Sequence, residues 1–184
     1  METVEYEERV LITEDDYNQV IKDIKKEGLP ITNLIILNIY LDNGNEDIYK
    51  NGQMLRIRAT NGKDEELTLK IRNADGSTRE INETVESHPL IDKELRGNFK
   101  DYKEVTRLTT ERIEVKYNDY LLVVDKNMYG DVIDFDLEIE ANSQQKAVNL
   151  IEKYCILYDL TYDPHYKVKS RRAIDEAKKK MKLN

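Results

Sequence analysis

Apolar and polar residues alternate along most of this chain with a period of two, which is typical of β-strands. The alternation is clearest near the end of the predicted sheet, where Phe135, Leu137 and Ile139 alternate with acidic residues. Segments with this alternation, or with the β-branched and aromatic residues common in strands, lie near residues 4–12, 31–41, 54–60, 66–72, 79–86, 105–117, 119–126 and 132–140. The pattern therefore predicts about eight strands.

Turn-forming residues connect several of these segments. The connectors NGNEDIYKNG, NGKDE and NADGS are rich in Asn, Asp and Gly, which accept positive φ angles or hydrogen-bond to their own backbone. Most strand pairs lack the intervening helix that a parallel crossover requires. The sequence thus predicts an α+β fold in which a closed antiparallel β-barrel of about eight strands forms a tunnel with peripheral helices, since closure also removes exposed sheet edges.

A helical period of 3.6 residues is found in three places outside these strands. Thr13 is expected to cap the first helix, which ends at Gly28. Ser143 is expected to open the second, and residues 170–182 form a third, lysine-rich helix. The segment 87–104 is irregular and predicts no more than one or two helical turns.

Composition restricts the class of protein. The length of 184 residues fits one domain, residues 1–184, and a hydrophobic content of 39% is too high for a disordered chain. The formal net charge of −8 argues against a nucleic-acid partner bound through a broad basic surface. No apolar run approaches the roughly 20 residues of a membrane helix, and Cys155 is the only cysteine. We therefore expect a soluble, cytoplasmic protein with no membrane partner.

Charged side chains fall on one face of the first, third, fourth, sixth and eighth predicted strands, and carboxylates and cations are largely segregated between strands. The first and last strands supply the acidic set, which comprises Glu5, Glu7, Asp134, Asp136, Glu138 and Glu140. Other strands supply the basic set, which comprises Arg56, Arg58, Lys70, Arg112 and Lys116. Mg²⁺ and Mn²⁺ prefer carboxylate oxygens, and Arg and Lys bind phosphate oxygens. The two sets match a metal-bound polyphosphate, although a sheet with one face in water produces the same alternation.

Several short motifs occur in a fixed order along nearly the whole chain. They are EYEER at 5–9, LRIR at 55–58, TLK at 68–70, TERIEVKY at 110–117, LLVVD at 121–125, DLEIE at 136–140 and VKSRR at 168–172. In this order and spacing they resemble the CYTH superfamily, also called triphosphate tunnel metalloenzymes, and especially its small bacterial members. The resemblance implies an eight-stranded tunnel that binds a triphosphate together with Mg²⁺ or Mn²⁺.

The resemblance also implies roles for individual residues. The metal-side carboxylates would be Glu5, Glu7, Glu138 and Glu140, with Asp125 and Asp136 nearby and Glu80 as a further candidate. Glu83 competes with Glu80, because the register of residues 78–85 is ambiguous. The phosphate-binding residues would be Arg9, Arg56, Arg58, Lys70, Arg112, Lys116, Lys169 and Arg172, of which Arg9 and Lys70 are also the catalytic candidates. Arg9 stands where the family has a lysine, and thus exchanges a compact donor for a planar fork.

The expected function is metal-dependent hydrolysis of a linear triphosphate, either inorganic triphosphate or a related compound. Three alternatives stay open at this point: a class IV-type adenylate cyclase, a thiamine triphosphatase, and a tunnel that binds polyphosphate or a nucleotide without turnover. The expected partner is the small-molecule triphosphate. A homodimer is left open, because nothing in the sequence determines the oligomeric state.

Overall fold

The computed structural model describes residues 1–183 and shows, within that range, a closed barrel of eight antiparallel strands. The strands are β1 (Glu2–Ile12), β2 (Ile31–Asp42), β3 (Met54–Thr60), β4 (Glu66–Arg72), β5 (Thr78–Thr84), β6 (Lys103–Lys116), β7 (Tyr120–Tyr129) and β8 (Val132–Ala141). Their order around the barrel is β1-β5-β4-β3-β2-β6-β7-β8, and β8 pairs with β1. The predicted α+β fold with a closed antiparallel barrel is confirmed. Asn184, the last residue of the predicted domain, lies outside the described residues.

Helices lie around the barrel and at one of its ends. They are α1 (Glu14–Glu27), α2 (Asp47–Lys50), α3 (Pro89–Leu95), α4 (Gln144–Tyr158) and α5 (Lys169–Leu183), with a 3₁₀ turn at Phe99–Asp101. Helices α1, α4 and α5 correspond to the three predicted from the sequence. Among the helices of the described chain, none has both the length and the apolar composition that a membrane crossing requires.

The ends of α1 follow from local chemistry. Thr13 and Asp16 form a capping box, in which Thr13 Oγ1 accepts a hydrogen bond from the Asp16 backbone N–H at 3.2 Å. The Asp16 carboxylate in turn accepts one from the Thr13 backbone N–H at 3.0 Å. Gly28 ends the helix in the left-handed conformation, with φ of 70°. Both signals are visible in the sequence.

Helix α2 arises inside a connector that the sequence reads as a turn. The Asp42 carboxylate, at the end of β2, accepts hydrogen bonds from the backbone N–H groups of Ile48 at 3.0 Å and Tyr49 at 2.9 Å. These bonds satisfy N–H groups that a short helix leaves free. Turn chemistry in the sequence predicts the connector, but it does not predict these contacts of Asp42 with residues six and seven positions further along the chain.

The outward faces of the strands carry the apolar side chains, and helices cover them. Leu137 and Ile139 of β8 are completely buried beneath α1 and α4, together with Ile151 of α4. On the other side, Leu67 and Leu69 of β4 belong to a second core that α3 helps to cover. Full burial of each such side chain contributes about 1.5–3 kcal/mol. Since the apolar faces point outward, the charged faces must line the inside of the barrel.

Helix α5 closes one end of the barrel. Ala173 and Ile174 pack against Tyr40, Leu108 and Tyr129, which lie on the inward faces of their strands. Outside this contact, the α5 side chain of Arg171 donates a hydrogen bond to the backbone oxygen of Tyr49 at 2.7 Å. An apolar cluster and polar contacts to α2 therefore hold the helix over this end.

We expect Leu137→Ala to lower the free energy of unfolding by about 2–5 kcal/mol, because it leaves a cavity in the core between β8 and the helices. Urea unfolding of the two proteins measures the difference. The control is Ile156→Ala on α4, where the side chain is 83% exposed and the expected change is within about 0.5 kcal/mol. Equal losses in the two variants would contradict the assignment of Leu137 to a core.

Candidate functional site

A cavity of about 370 Å³ lies inside the barrel, next to the end closed by α5. Charged side chains from most of the strands line its wall. The predicted site residues among them are Glu5, Glu7, Arg9, Arg56, Arg58, Lys70, Glu80, Arg112, Glu138, Glu140 and Lys169. The structure thus brings together in one cavity residues that are up to 164 positions apart in the sequence, from Glu5 to Lys169.

Strand register brings the opposite charges into contact. Arg9 of β1 lies opposite Glu138 of β8, and Lys70 of β4 lies opposite Glu80 of β5. Side chains directly opposite each other on one face of an antiparallel pair are about 5 Å apart at their Cβ atoms. Successive residues of a strand point to opposite faces. Since the apolar neighbours of these charged residues point outward, both charged pairs point into the tunnel.

Glu7, Glu138 and Glu140 form an acidic cluster on the cavity wall. Among the described residues, these three can each offer a carboxylate oxygen such that the oxygens lie within 4.8 Å of one another. Glu138 is only 1% exposed. Mg²⁺ and Mn²⁺ take hard oxygen donors of this kind and complete their coordination with water or phosphate oxygens. The donor set therefore fits a divalent metal ion.

Cations surround the two deeper carboxylates of this cluster. Arg9 Nη2 lies 2.6 Å from Glu7 Oε1. Burial alone would raise the pKa of Glu7, but the positive charges of Arg9 and Lys70 outweigh it and lower this pKa to about 2. Glu138 receives hydrogen bonds from Arg112 Nη2 at 3.2 Å and from Lys169 Nζ at 2.9 Å. Although burial opposes its ionisation, Lys169, Arg9 and Arg112 hold the pKa of Glu138 well below its ordinary value. Both groups are therefore carboxylates at neutral pH.

Glu140 lies in the same cluster but has the opposite shift. Burial raises its pKa to about 7, and the neighbouring carboxylates Glu138, Glu7 and Glu5 act in the same direction. The nearest cation, Arg112 Nη1, is 3.8 Å from Glu140 Oε1 and only partly offsets them. Near neutral pH this carboxyl therefore changes its charge, and an added cation would favour the ionised form.

The basic side of the cavity lacks full compensation. Arg56 is 4% exposed, and its Nε and Nη2 atoms have no hydrogen-bond partner in residues 1–183. The closest carboxylate to Nη2, from Glu80, is 3.7 Å away. Burial and the neighbouring guanidinium groups of Arg56 and Arg112 lower the pKa of Arg58 to about 9. Buried N–H donors without partners are costly, and an anion in the cavity would satisfy them.

Lys70 joins the basic side to the acidic side. Its Nζ atom lies 2.6 Å from Glu80 Oε2 and 2.8 Å from Glu5 Oε2. Although burial raises the pKa of Glu80, Lys70 and Arg56 lower it to about 2. The ambiguous register of β5 is also resolved: Glu80 faces the tunnel, whereas Glu83 faces α3 and accepts hydrogen bonds from the backbone N–H groups of Leu90 and Ile91 at its start.

Some predicted site residues do not line the cavity. They are Asp125, Asp136, Arg172 and Lys116. Asp125 and Asp136 lie on the inward faces of β7 and β8 but are completely buried beneath the start of α5. There Asp125 accepts two hydrogen bonds from Arg112 and Asp136 accepts one from Arg172 Nη2 at 2.7 Å. Lys116 ends β6 and is exposed. The two aspartates therefore orient cations. Alternation correctly predicts that Lys116 shares the inward face of β6 with Arg112, but it does not show that the strand has left the cavity at this point.

The segment before and at the start of α5 contributes wall residues that sequence reasoning missed. Besides Lys169, residues 163–168, except His165, and Ser170 and Arg171 line the cavity. The hydroxyl of Tyr166 is buried and has no hydrogen-bond partner in the described chain, and Arg172 lies over its ring at 4.9 Å from the centroid. This loop has no periodicity, so only the VKSRR motif could indicate that the chain returns to the tunnel here.

Comparison with known proteins identifies the architecture. The family model described as the CYTH domain matches residues 3–170. A putative adenylate cyclase from Bacillus halodurans has a similar structure, with a TM-score of 0.79, 20% identity and coverage of 93% of this chain and 97% of that chain. A putative adenylyl cyclase from Hippeastrum, described as having a dominant triphosphatase activity, has a TM-score of 0.70 and 16% identity over 96% of both chains.

A third similar structure is the PH1012 protein of Pyrococcus horikoshii OT3, with a TM-score of 0.63, 18% identity and coverage of 93% of this chain and 98% of that chain. Identities this low establish a shared fold and nothing finer. No curated protein matches the sequence.

We expect Glu140→Gln to change how stability depends on pH. The folded pKa of about 7 lies above the ordinary value of 4.5, so the folded protein binds this proton more tightly than the unfolded chain does. The stabilisation is therefore present at low pH and is lost as the pH rises through about 7. The wild type should therefore lose stability between pH 5 and pH 8, whereas the glutamine variant should not show this loss. In metal-free buffer, the unfolding free energy of the variant minus that of the wild type should be about 1–3 kcal/mol larger at pH 8 than at pH 5. The same difference at both pH values would contradict the raised pKa.

Proposed function

We propose, from the premise that this chain belongs to the CYTH domain family, that it is an enzyme that hydrolyses a linear triphosphate in its barrel tunnel with a divalent metal ion. The substrate would be inorganic triphosphate or a related compound. The proposal depends on one observation: an acidic cluster suited to Mg²⁺ or Mn²⁺ shares a cavity with buried arginines whose charge is not fully compensated. A metal-bound phosphate chain supplies what each side lacks.

Glu7, Glu138 and Glu140 would hold the metal ion, with Glu5 at the edge of the cluster. When bound, the ion would supply charge stabilisation at a phosphoryl oxygen and a site for water. Arg56 would bind the phosphate chain through N–H groups that lack a hydrogen-bond partner in the described chain. Arg58, whose Nε donates to Asn38 Oδ1, would bind it through its other N–H groups, because guanidinium groups match phosphate oxygens in a bidentate geometry. Asp125 keeps Arg112 directed into the tunnel.

The catalytic candidates Arg9 and Lys70 would act as cations and not as bases. Burial lowers the pKa of each, but neighbouring carboxylates, Glu7 foremost, outweigh burial and raise both pKa values above their ordinary range. Both groups are therefore protonated at neutral pH. Lys70 would stabilise charge that develops on the phosphate chain, and Arg9, 2.6 Å from Glu7, would orient that carboxylate. Arg9, which stands where the family has a lysine, can still fill this role, because it keeps the positive charge that orients Glu7.

The names of similar proteins bear on the choice of reaction. The triphosphatase activity described for the Hippeastrum protein supports hydrolysis as the reaction. The Bacillus halodurans protein is named as a putative adenylate cyclase, so the assay must also test for adenylate cyclase activity. Thiamine triphosphatase activity and binding without turnover are further outcomes that one assay separates.

Purified protein should release phosphate from inorganic triphosphate in the presence of Mg²⁺ or Mn²⁺ and should not do so in EDTA. Parallel reactions with ATP and thiamine triphosphate, analysed for phosphate, cyclic nucleotide and pyrophosphate, identify the reaction type. Formation of cyclic AMP and pyrophosphate would instead establish a cyclase. Tight binding of triphosphate with no product under either metal would contradict both enzymatic functions.

The assay includes a matched pair of variants. Glu138→Gln should lower the metal-dependent rate by about 100-fold or more, since it removes a charge from the acidic cluster. Glu111→Gln on the outer face of β6, where the side chain is 50% exposed, should leave the rate unchanged. Equal rates for wild type and Glu138→Gln would remove β8 from the reaction centre.

Arg56→Met should weaken triphosphate binding by about tenfold or more, because charge-assisted hydrogen bonds to the phosphate chain are lost. The free energy of unfolding without ligand should stay unchanged or rise, since the variant removes a buried guanidinium with unsatisfied N–H donors. Calorimetric titration and urea unfolding measure the two quantities. Arg107→Met, whose side chain is 60% exposed beside Glu104, is the control. Loss of stability without loss of binding would mean that Arg56 is structural.

A further inference from the structure

Lys169 is the first residue of α5, and its ammonium group lies between two buried carboxylates. Its Nζ atom donates a hydrogen bond to Glu138 Oε1 at 2.9 Å and a second to Asp125 Oδ2. The side chain is 12% exposed, and the two carboxylate side chains are 1% and 0% exposed. The contact is therefore a buried ion pair and not a solvated one.

This ammonium group competes for an oxygen donor of the acidic cluster. Glu138 is the central and most buried member of the cluster with Glu7 and Glu140, and Lys169 is bonded to it. Arg9 and Arg112 lie on the same carboxylates, at 2.6 Å from Glu7 and 3.2 Å from Glu138. The negative charge that would attract a divalent cation is thus already balanced by cations of the protein.

A free divalent ion would therefore meet repulsion in this cavity. It would have to displace or lie close to an ammonium group, and like charges a few ångströms apart in a buried site repel strongly. A phosphate chain meets the opposite situation, because Arg56 has two buried N–H donors without a hydrogen-bond partner in the described chain and its nearest carboxylate, from Glu80, is 3.7 Å away. Arg58 adds a second, partly buried guanidinium, whose Nε donates only to the neutral amide of Asn38 at 3.1 Å. Phosphate oxygens can also accept from an ammonium group, which gives Lys169 a new partner.

We infer that Lys169 is the internal counter-ion of Glu138, and that the phosphate chain must draw it away before a divalent metal can bind, so that metal and triphosphate enter together. The inference rests on the proposed function of this cavity and deepens it by naming the ligand as the metal–triphosphate complex. Because Lys169 belongs to α5, the exchange also changes the contacts at the start of the helix that closes the barrel.

Mn²⁺ binding to the full chain tests this order without any turnover. Equilibrium dialysis measures the Mn²⁺ retained by the protein at a given concentration of free Mn²⁺, with and without imidotriphosphate as a non-hydrolysable triphosphate, and electron paramagnetic resonance measures the free Mn²⁺ on the protein-free side, where Mn²⁺ held by imidotriphosphate alone is accounted for. Wild-type protein should bind Mn²⁺ alone about tenfold or more weakly than with imidotriphosphate. In Lys169→Met, Mn²⁺ alone should bind about tenfold or more tightly than to the wild type, because one repelling charge is gone.

Further variants separate this role from a general effect on the fold. Lys169→Gln is a second neutral variant and should behave like Lys169→Met, whereas Lys169→Arg keeps the charge and should behave like the wild type. Lys180→Met, on the same helix beside Asp131 on the outside, should also match the wild type. Thermal unfolding confirms that each variant is folded.

Two results would overturn the inference: wild-type protein that binds Mn²⁺ equally well with and without imidotriphosphate, or neutral variants at Lys169 with wild-type affinity for free Mn²⁺. The wild-type measurement can overturn the inference even if both neutral variants unfold. A protein that shows the predicted Mn²⁺ order but releases no phosphate from any triphosphate would contradict the proposed function alone. Phosphate release with Mn²⁺ binding independent of triphosphate would contradict the inference alone.

Discussion

The structure depends on the balance of charge around a carboxylate that is almost completely buried. Glu138 is 1% exposed and is held by Arg9 from β1, Arg112 from β6 and Lys169 from α5. Burial of an unpaired carboxylate costs several kcal/mol, so it is tolerated only where cations and hydrogen bonds compensate it. The same contacts join strands from opposite parts of the sequence to the helix that closes the barrel.

Two carboxylates on one side of the tunnel are closely paired with cations, whereas the arginines on the other side are not paired as closely with carboxylates. The carboxylates of Glu7 and Glu138 have close cations, while Arg56 retains N–H groups without partners in the described chain and the pKa of Arg58 is lowered to about 9 by burial and neighbouring cations. A fully balanced interior would be more stable but would have little affinity for an anion. The imbalance is the feature that a triphosphate would exploit, at some cost to the stability of the free protein.

Helix α5 serves the barrel in two ways. Ala173 and Ile174 fill one end with apolar side chains, and Lys169 at its start contributes a charge to the cavity. The sequence predicts this helix from its periodicity, and the VKSRR motif associates its start with the tunnel. Its apolar contacts with Tyr40 and Tyr129 could not be foreseen, because the position of a helix relative to a closed barrel is not encoded in its own amphipathic pattern.

The sequence by itself determined the strands, the face of each strand that carries charge and the family to which these motifs point, because side-chain alternation and turn chemistry act over a few residues. Tertiary structure alone decided which charges meet. The register between β1 and β8 sets Arg9 against Glu138. Contacts with α5 and with Arg112 bury Asp125 at the closed end of the barrel, and Lys116 is left in solvent at the end of β6. Register and depth depend on contacts between strands far apart in the chain, so local alternation predicts the face of a residue but not its partner.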